Sequence, residues 1–321
     1  MHATRFLQLH QIDSASLADE ARAGLLARSA QVSPKFLYDP LGSRLFDAIT
    51  ELDEYYPTRT EAAIFAAHAG EIAEVVHARL GGRPTLVDLG AGNCAKAAGL
   101  FGSLTPGRYV AVDISVAFLH DALLGLQRQH PAIEMVGVGL DFSARLDLPE
   151  DLHDGPALVF YPGSSIGNFN PGQALRLLRE ARALSRGGAL LIGVDLVKPA
   201  GLLEAAYDDP LGVTAAFNLN LLRHLNRLLG SDFQPRQWQH VALFDATQSR
   251  IEMHLQARQA LAVRWPGGER RFAAGERLHT ENSYKWTADG FDALLREAGF
   301  ARVHRWTDGR GWFGVMLAEA G

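Results

Sequence analysis

The residues best placed to do chemistry stand in the stretch Thr85-Leu-Val-Asp-Leu-Gly-Ala-Gly-Asn-Cys-Ala-Lys96. An aliphatic run ends in Asp88, Gly90 and Gly92 follow two residues apart, and an Ala- and Leu-rich pattern opens at Ala95. This spacing predicts a strand, a tight turn and a helix start, a layout that brings backbone N–H groups close to a nucleotide-like ligand. Glycine suits such a turn because it adopts positive φ and has no side chain to hold a ligand away. A second run, Arg108-Tyr-Val-Ala-Val-Asp113, ends in an acid near the ~20-residue offset at which a carboxylate accepts from ribose hydroxyls. A third, Glu134-Met-Val-Gly-Val-Gly-Leu140, leads into Asp141-Phe142, an acid beside an aromatic ring. Ala95 stands where a dinucleotide fingerprint has its third glycine, which argues against a nicotinamide site, and a loop of the shorter Asp-Leu-Gly-x-Gly kind needs to cradle no pyrophosphate. A Rossmann-like turn with surface acids at its strand ends is the plainer alternative.

Three further segments are too polar for their apolar settings. Phe160-Tyr-Pro-Gly-Ser-Ser-Ile-Gly-Asn-Phe-Asn-Pro171 follows directly on a fourth strand-like run. Ile251-Glu-Met-His-Leu255 lies inside a strand pattern, and His279-Thr-Glu-Asn-Ser-Tyr-Lys-Trp286, if extended, puts Glu281 and Ser283 on one side. Each by itself reads as a loop or a half-buried strand.

The elements that must position these residues follow from periodicity. Strands are predicted over 85–89, 108–113, 133–139, 157–161 and 189–195, with helices near 95–103, 115–128 and 171–184. Such alternation implies βαβ units, right-handed crossovers and a parallel sheet, whose ligands sit at the carboxyl ends of the strands. Asp88, Asp113, Asp141 and the Pro162–Asn168 loop all fall there. Upstream, a helix is predicted over Ser16–Ala30 and a helical turn through Phe46 and Ile49. Thr60 is expected to cap a helix over Glu61–Leu80. Beyond Asp195-Leu-Val-Lys-Pro199 the alternation stops. A helix-rich stretch over 200–230 precedes strand-like Gln239–Asp245, Arg250–Arg258 and Ala260–Arg264, with Pro266-Gly-Gly268 as a turn. An amphipathic helix closed by Gly299 and a hairpin around Asp308-Gly-Arg-Gly311 end the chain. The expectation is a doubly wound α/β sheet over 61–196 and 286–321, interrupted by a second domain assembled from 1–60 and 197–285.

Composition narrows the class. At 321 residues the chain can bury substantial cores, and 47% hydrophobic with 21% charged residues is ordinary for a soluble globular protein. A net charge of −5 carries no basic footprint for nucleic acid. No run approaches the ~18 apolar residues of a membrane span, and the first residues lack a signal-peptide pattern. The single Cys94 excludes intrachain disulfides and Cys-rich zinc sites; beside the glycine loop it reads as a packing residue. The twelve histidines lack metal spacing, and Glu252-Met-His254 is not H-E-x-x-H, so no metal is expected. The Leu219–Leu229 stripe reads as core or domain-packing surface and Arg270-Arg271 as solvated surface. A cytoplasmic, monomeric protein acting on a small molecule is the expectation, with neither nucleic acid nor membrane as partner.

Asp-Leu-Gly-x-Gly, then a strand ending in an acid, then Asp141-Phe142, resembles the S-adenosylmethionine (SAM) dependent methyltransferases. Adding Tyr55-Tyr-Pro-Thr-Arg-Thr-Glu61, Gly163-Ser-Ser-Ile-Gly-Asn-Phe169 and Asp195-Leu-Val-Lys198, the chain resembles the histidine-specific N-α-methyltransferases that open ergothioneine biosynthesis. The resemblance runs from Lys35-Phe-Leu-Tyr-Asp-Pro-Leu-Gly-Ser-Arg-Leu-Phe46 to the C-terminal hairpin. It implies SAM as methyl donor, leaving as S-adenosylhomocysteine, and L-histidine as substrate, trimethylated on its α-nitrogen to hercynine. It implies that Gly90, Lys96, Asp113, Asp141 and Phe142 bind the cofactor. Tyr56, Asn168 and Tyr207 then hold the amino-acid head, Gly163 lines the amine's approach, and Met253, Glu281 and Ser283 form the side-chain pocket. Tyr38 lies near the amine, and Tyr38 or a water held by Asn168 is the candidate to pass the proton out. The substrate is expected between the two domains, a common place for small-molecule sites.

The chemistry fits those roles. An imidazole offers a donor and an acceptor, or two donors when protonated, which a carboxylate and a hydroxyl two residues apart on a strand can meet. A pocket built on such bonds rejects analogues that leave buried polar groups unpaired, by up to ~10⁴-fold. Asn282, between the two, departs from what the family often has and is expected to point away and change little. Fungal relatives that methylate a prenylated tryptophan differ at the acidic position, so Glu281 with Met253 favours histidine. Methylation of another amino acid, such as a tryptophan derivative, and a SAM-binding regulator without turnover are the alternatives.

Overall fold

All residues of 157–161 and 189–195 are buried, as befits strands covered on both faces, whose sequences run continuously apolar instead of alternating. The computed structural model describes residues 3–9, 14–114, 116–143, 145–152 and 154–321. Its elements begin with β1 (Arg5–Gln8), α1 (Ser14–Leu26), α2 (Pro40–Thr50), α3 (Tyr56–Leu80), β2 (Thr85–Leu89) and α4 (Ala95–Leu104). Next come β3 (Arg108–Asp113), α5 (Val116–Gln129), β4 (Glu134–Gly139), β5 (Ala157–Tyr161), α6 (Pro171–Leu184) and β6 (Ala189–Asp195). Then follow α7 (Ala200–Tyr207), α8 (Val213–Leu229), β7 (Trp238–Asp245), β8 (Arg250–Ala257), β9 (Leu261–Trp265), β10 (Gly268–Phe272) and β11 (Arg277–Tyr284). The chain closes with α9 (Ala288–Glu297), β12 (Phe300–Thr307) and β13 (Phe313–Ala320).

The chain forms two compact units. One comprises Met1–His10, Pro57–Val197 and Lys285–Gly321, the other Gln11–Tyr56 and Lys198–Tyr284. The first holds an eight-stranded sheet in the order β1-β4-β3-β2-β5-β6-β13-β12. Strands β1 to β6 are parallel, and β13 and β12 complete the edge antiparallel. Alternate residues feed the two faces. Val87, Val110, Val136, Val159 and Ile192 meet α6 and α9 through Leu177, Leu178, Phe291 and Leu295. Leu86, Tyr109, Met135, Leu158 and Leu191 meet α3, α4 and α5 through Ile72, Val76, Leu100 and Leu123. The strand order reverses between β2 and β5, the switch point at which ligands of such sheets bind.

Residues 5–8 do not join the second unit, as expected for all of 1–60, but pair in parallel with β4, from Arg5↔Val136 to Gln8↔Gly139. Four residues are too few to display a period, and the strand forms because it covers an otherwise open sheet edge. Helix α3 likewise starts at Tyr56 rather than after Thr60. Pro57 is tolerated in its first turn, where the missing N–H has no intrahelical partner anyway. Helix α1 stops at Leu26 instead of Ala30, because residues 30–32 pair with β11 through His279.

The second unit carries the antiparallel sheet β11-β8-β7 and the hairpin β9-β10, with α7 and α8 against β7 and β8 and α1 and α2 against α8. Between His279 and Glu281 the β11–β8 register shifts. This is a bulge, in which one extra residue re-aims the side chains beyond it.

Gly188 shows how tightly the central strands are set: a Cβ there would lie 2.1 Å from the Ala157 carbonyl oxygen. Gly188→Ala should therefore lower the unfolding free energy by ~1–3 kcal/mol through overpacking. Gly102→Ala, in α4 with nothing within 4 Å of the added carbon, should raise it by ~0.5–1 kcal/mol. Urea titration of both variants checks the contrast.

Candidate active site

Gly90 and Gly92, at φ 71° and 53°, turn the chain sharply after β2. The N–H groups of Gly90 and Ala91 donate to the Val112 carbonyl at 2.8 and 3.1 Å, and that of Gly92 to Asp113 Oδ2 at 2.9 Å. The glycine loop is thereby tied to the end of β3. A Cβ at Gly90 would stand 3.8 Å from the Phe142 ring, so the loop after β4 reaches the same place. Phe142 meets Tyr161 edge-on, centroids 5.8 Å apart. Asp141 Oδ1 accepts from the Ser143 hydroxyl at 2.5 Å and from its N–H at 3.1 Å. Gly90, Asp113, Asp141 and Phe142 thus converge at the carboxyl ends of three adjacent strands.

Across the switch point lies the loop after β5. Gly163 and Ser164 both have positive φ, 79° and 58°, and the Ser164 hydroxyl accepts from the Asp195 N–H at 2.8 Å. A 3₁₀ turn over Ser165–Asn168 follows, leaving Asn168 half-buried. Asn170 and Gln173 then form the capping box that starts α6. Lys96, in the first turn of α4, donates to Glu61 Oε2 at 2.6 Å, and Gly163 N–H donates to Glu61 Oε1 at 2.7 Å.

Asp88 lies behind the loop. Burial pushes its carboxyl up to about 7, opposed by the hydrogen bond from Tyr109 and reinforced by the charges of Asp113 and Glu61. Tyr109 donates to Asp88 Oδ2 at 2.7 Å. Burial also pushes the Cys94 thiol up to about 12, so it stays protonated and packs rather than attacks.

In the second unit the bulge at Thr280 sets the chemistry. Thr280 is fully buried and its hydroxyl donates to the Met253 carbonyl at 3.0 Å. Past it, Glu281 pairs with Met253 and Ser283 with Ile251, so both polar side chains share one face and are buried, 7% and 4% exposed. Tyr207 donates to Ser283 Oγ at 2.7 Å. Asn282 takes the reverse face, bonded to His279 Nε2 at 2.9 Å, beside a His254–Glu252 pair at 2.9 Å. Burial lowers the affinity of both imidazoles for protons.

Tyr56 accepts from Lys198 Nζ at 2.8 Å, the ammonium also standing 4.5 Å from its ring centroid. Tyr55 and Tyr207 meet edge-on at 6.1 Å. Tyr38 is seated against Phe46 and Phe217, at 5.6 and 5.5 Å. Met253, Glu281, Ser283 and Tyr207 are therefore gathered directly, and Tyr38 is linked to Tyr207 through the ring series Phe46 and Tyr55.

Sequence reading assigned no role to Glu61, Lys198 or Thr280, although the first two close motifs that carry the family resemblance. The signal for Glu61 is Gly193, an isolated glycine in the apolar run of β6. For Lys198 it is the segment Asp195-Leu-Val-Lys198 directly after β6. A bulge at Thr280 leaves no sequence mark. Among the described residues no group of three or more His, Cys, Asp and Glu could hold a metal ion, and no helix is long and apolar enough to cross a membrane.

The doubly wound sheet, with a glycine turn after β2 at its switch point, is the architecture of a nucleotide-type ligand site, and the family match makes the chain a SAM-dependent methyltransferase. Residues 17–320 match the model of the histidine-specific, SAM-dependent methyltransferases, and the chain belongs to that family. It is 42% identical to a histidine N-alpha-methyltransferase of Mycolicibacterium smegmatis, covering 95% of this chain and 96% of the relative. It is 39% identical to the enzyme of the same name from Mycobacterium tuberculosis, over 94% of each chain. Ergothioneine biosynthesis protein 1 of Neurospora crassa is 29% identical over 90% of this chain and 33% of that longer protein.

The raised Asp88 carboxyl has a definite pH signature. The folded state binds its proton more tightly than the unfolded chain, so its stabilisation is complete below the ordinary carboxyl value of 3.8 and is lost as pH rises through about 7. Asp88→Asn should flatten this fall. The difference in unfolding free energy between pH 5 and pH 8, measured by urea titration, should shrink relative to the wild type.

Proposed function

We propose that the protein transfers methyl groups from SAM to the α-amino nitrogen of L-histidine, three in succession, giving hercynine, the first step of ergothioneine biosynthesis. The observation that carries the reading is the buried Glu281–Ser283 pair on one face of β11, with Met253 opposite Glu281 and Tyr207 bonded to Ser283. Ser283, bonded to the Tyr207 hydroxyl at 2.7 Å, is read as the hydroxyl that meets one ring nitrogen. Glu281 then accepts from the ring N–H, and a neutral imidazole is read at both ends. An indole has no second nitrogen for this pair, which favours histidine over tryptophan derivatives.

In this proposal Gly90, Lys96, Asp113, Asp141 and Phe142 hold the donor, and Tyr56, Asn168 and Tyr207 hold the amino-acid head, with Gly163 beside the amine. SAM brings a sulfonium-activated methyl group, so the protein's task is alignment of an in-line displacement. A peptide α-amino group has a pKa of about 8, so a share of it is neutral near pH 7 without a strong base. Tyr38, or a water held by Asn168, carries away the proton released at each transfer. The Tyr38 ring also suits the trimethylammonium product through cation–π attraction worth ~0.5–2 kcal/mol.

Incubation of the purified protein with SAM and histidine, followed by mass spectrometry, should show products with one, two and three added methyl groups on the α-nitrogen. Glu281→Gln should raise KM for histidine about 10- to 100-fold, the loss of a hydrogen bond to a charged group, with a smaller change in kcat. Preference for tryptophan in a panel of amino acids would overturn the substrate assignment. Binding of SAM and histidine with no S-adenosylhomocysteine released would mean a binder instead of an enzyme.

A further inference from the structure

Glu61 lies in the second turn of α3 with its side chain 1% exposed. A carboxylate is costly to bury unless its oxygens are paired and hydrogen-bonded. Both are: Oε2 receives the Lys96 ammonium at 2.6 Å and Oε1 the Gly163 N–H at 2.7 Å. The space it occupies is made for it. Position 193, in the fully buried strand β6, is glycine, and a Cβ there would lie 2.0 Å from Glu61 Oε1 and 3.1 Å from Gly163 N. Glycine weakens a strand interior and commonly marks the close approach of another group. Gly163 likewise leaves room for Lys96, since a Cβ there would stand 2.9 Å from its Nζ. One carboxylate thus joins the first turn of α4 to the loop after β5, across the switch point of the sheet.

We propose that Glu61 is a positioning residue for the amino-acid end of the cofactor: it fixes the Lys96 ammonium and the Gly163 loop in one arrangement, so that a thioether- or sulfonium-linked amino acid meets a preset charge. This rests on the reading of Lys96 as a cofactor residue. Lys96 is a point charge on a flexible stem, with its side chain 38% exposed. Anchored to a rigid buried carboxylate, it is ordered before the ligand arrives, which removes part of the ordering cost of binding. The role is confined to the methionine-derived half of the ligand; the adenosine half meets Asp113, Asp141 and Phe142 instead.

The test compares two probes on the full chain by calorimetry. S-adenosylhomocysteine carries the amino-acid end, whereas 5′-methylthioadenosine keeps the adenosine and the thioether without it. Glu61→Gln should weaken S-adenosylhomocysteine about 10- to 100-fold and leave methylthioadenosine within about threefold. Lys96→Met should show the same selective loss, and the double variant should be no worse than Lys96→Met alone, because the two residues act as one unit. Glu61→Asp keeps the charge, shortens the reach and serves if Glu61→Gln does not fold; it should show a weaker loss with the same selectivity. Equal loss of both probes, or no loss of either, in a folded variant overturns the proposal. If the wild type itself failed to bind S-adenosylhomocysteine, the fault would lie in the reading of Lys96.

Discussion

A sheet covered on both faces has no place for polar side chains along its strands, and this constraint organises the first unit. Its apolar runs are buried residue after residue, so groups able to do chemistry collect where the strands stop. Asp88, Asp113, Asp141, Gly163 and Asp195 all stand at or just past carboxyl ends. The glycine turn after β2 bends sharply there without a side chain in the way, and the reversal of strand order opens the crevice beside it.

Several of the charges that go inside are met by an opposite charge or by a set of donors. Lys285 and Asp195 meet at 2.7 Å with essentially no exposure on either side, where the chain leaves and re-enters the first unit. Asp39 caps α2 through Gly42 N–H and is joined by Asn220 and Arg227. Asp88 accepts from the Tyr109 hydroxyl, and burial raises its proton affinity against that bond. Buried ionic pairs of this kind add little net stability against well-packed apolar residues. Their value here is that they hold particular loops in particular places.

In the second unit the same economy works through a sheet with two distinct faces. One extra residue at Thr280 shifts the alternation, so that Glu281 and Ser283 share a face with Met253 while Asn282 and His279 bond on the other. Asn282 does point away from the pair, as its place between two inward residues requires. The hydroxyl of Thr280 on the Met253 carbonyl ties the bulge to the neighbouring strand.

Sequence by itself determined much of the first unit. Strands 85–89, 108–113, 157–161 and 189–195 and the helix at 171–184 stand where periodicity put them, because burial on both faces imposes unbroken apolar runs and glycine or proline marks their ends. It also identified the family, since long polar motifs in apolar settings are rarely accidental. Tertiary structure alone decided that residues 5–8 edge the sheet and that α3 begins at Tyr56. It alone decided that Glu61, from a helix, shares a carboxylate between Lys96 and Gly163, that Lys198 donates to Tyr56, and that a bulge aims Glu281. Those outcomes depend on partners distant along the chain, and on which residue faces which after a one-residue slip. Local propensity is blind to both, because a hydrogen bond between positions a hundred residues apart leaves no period in the sequence between them.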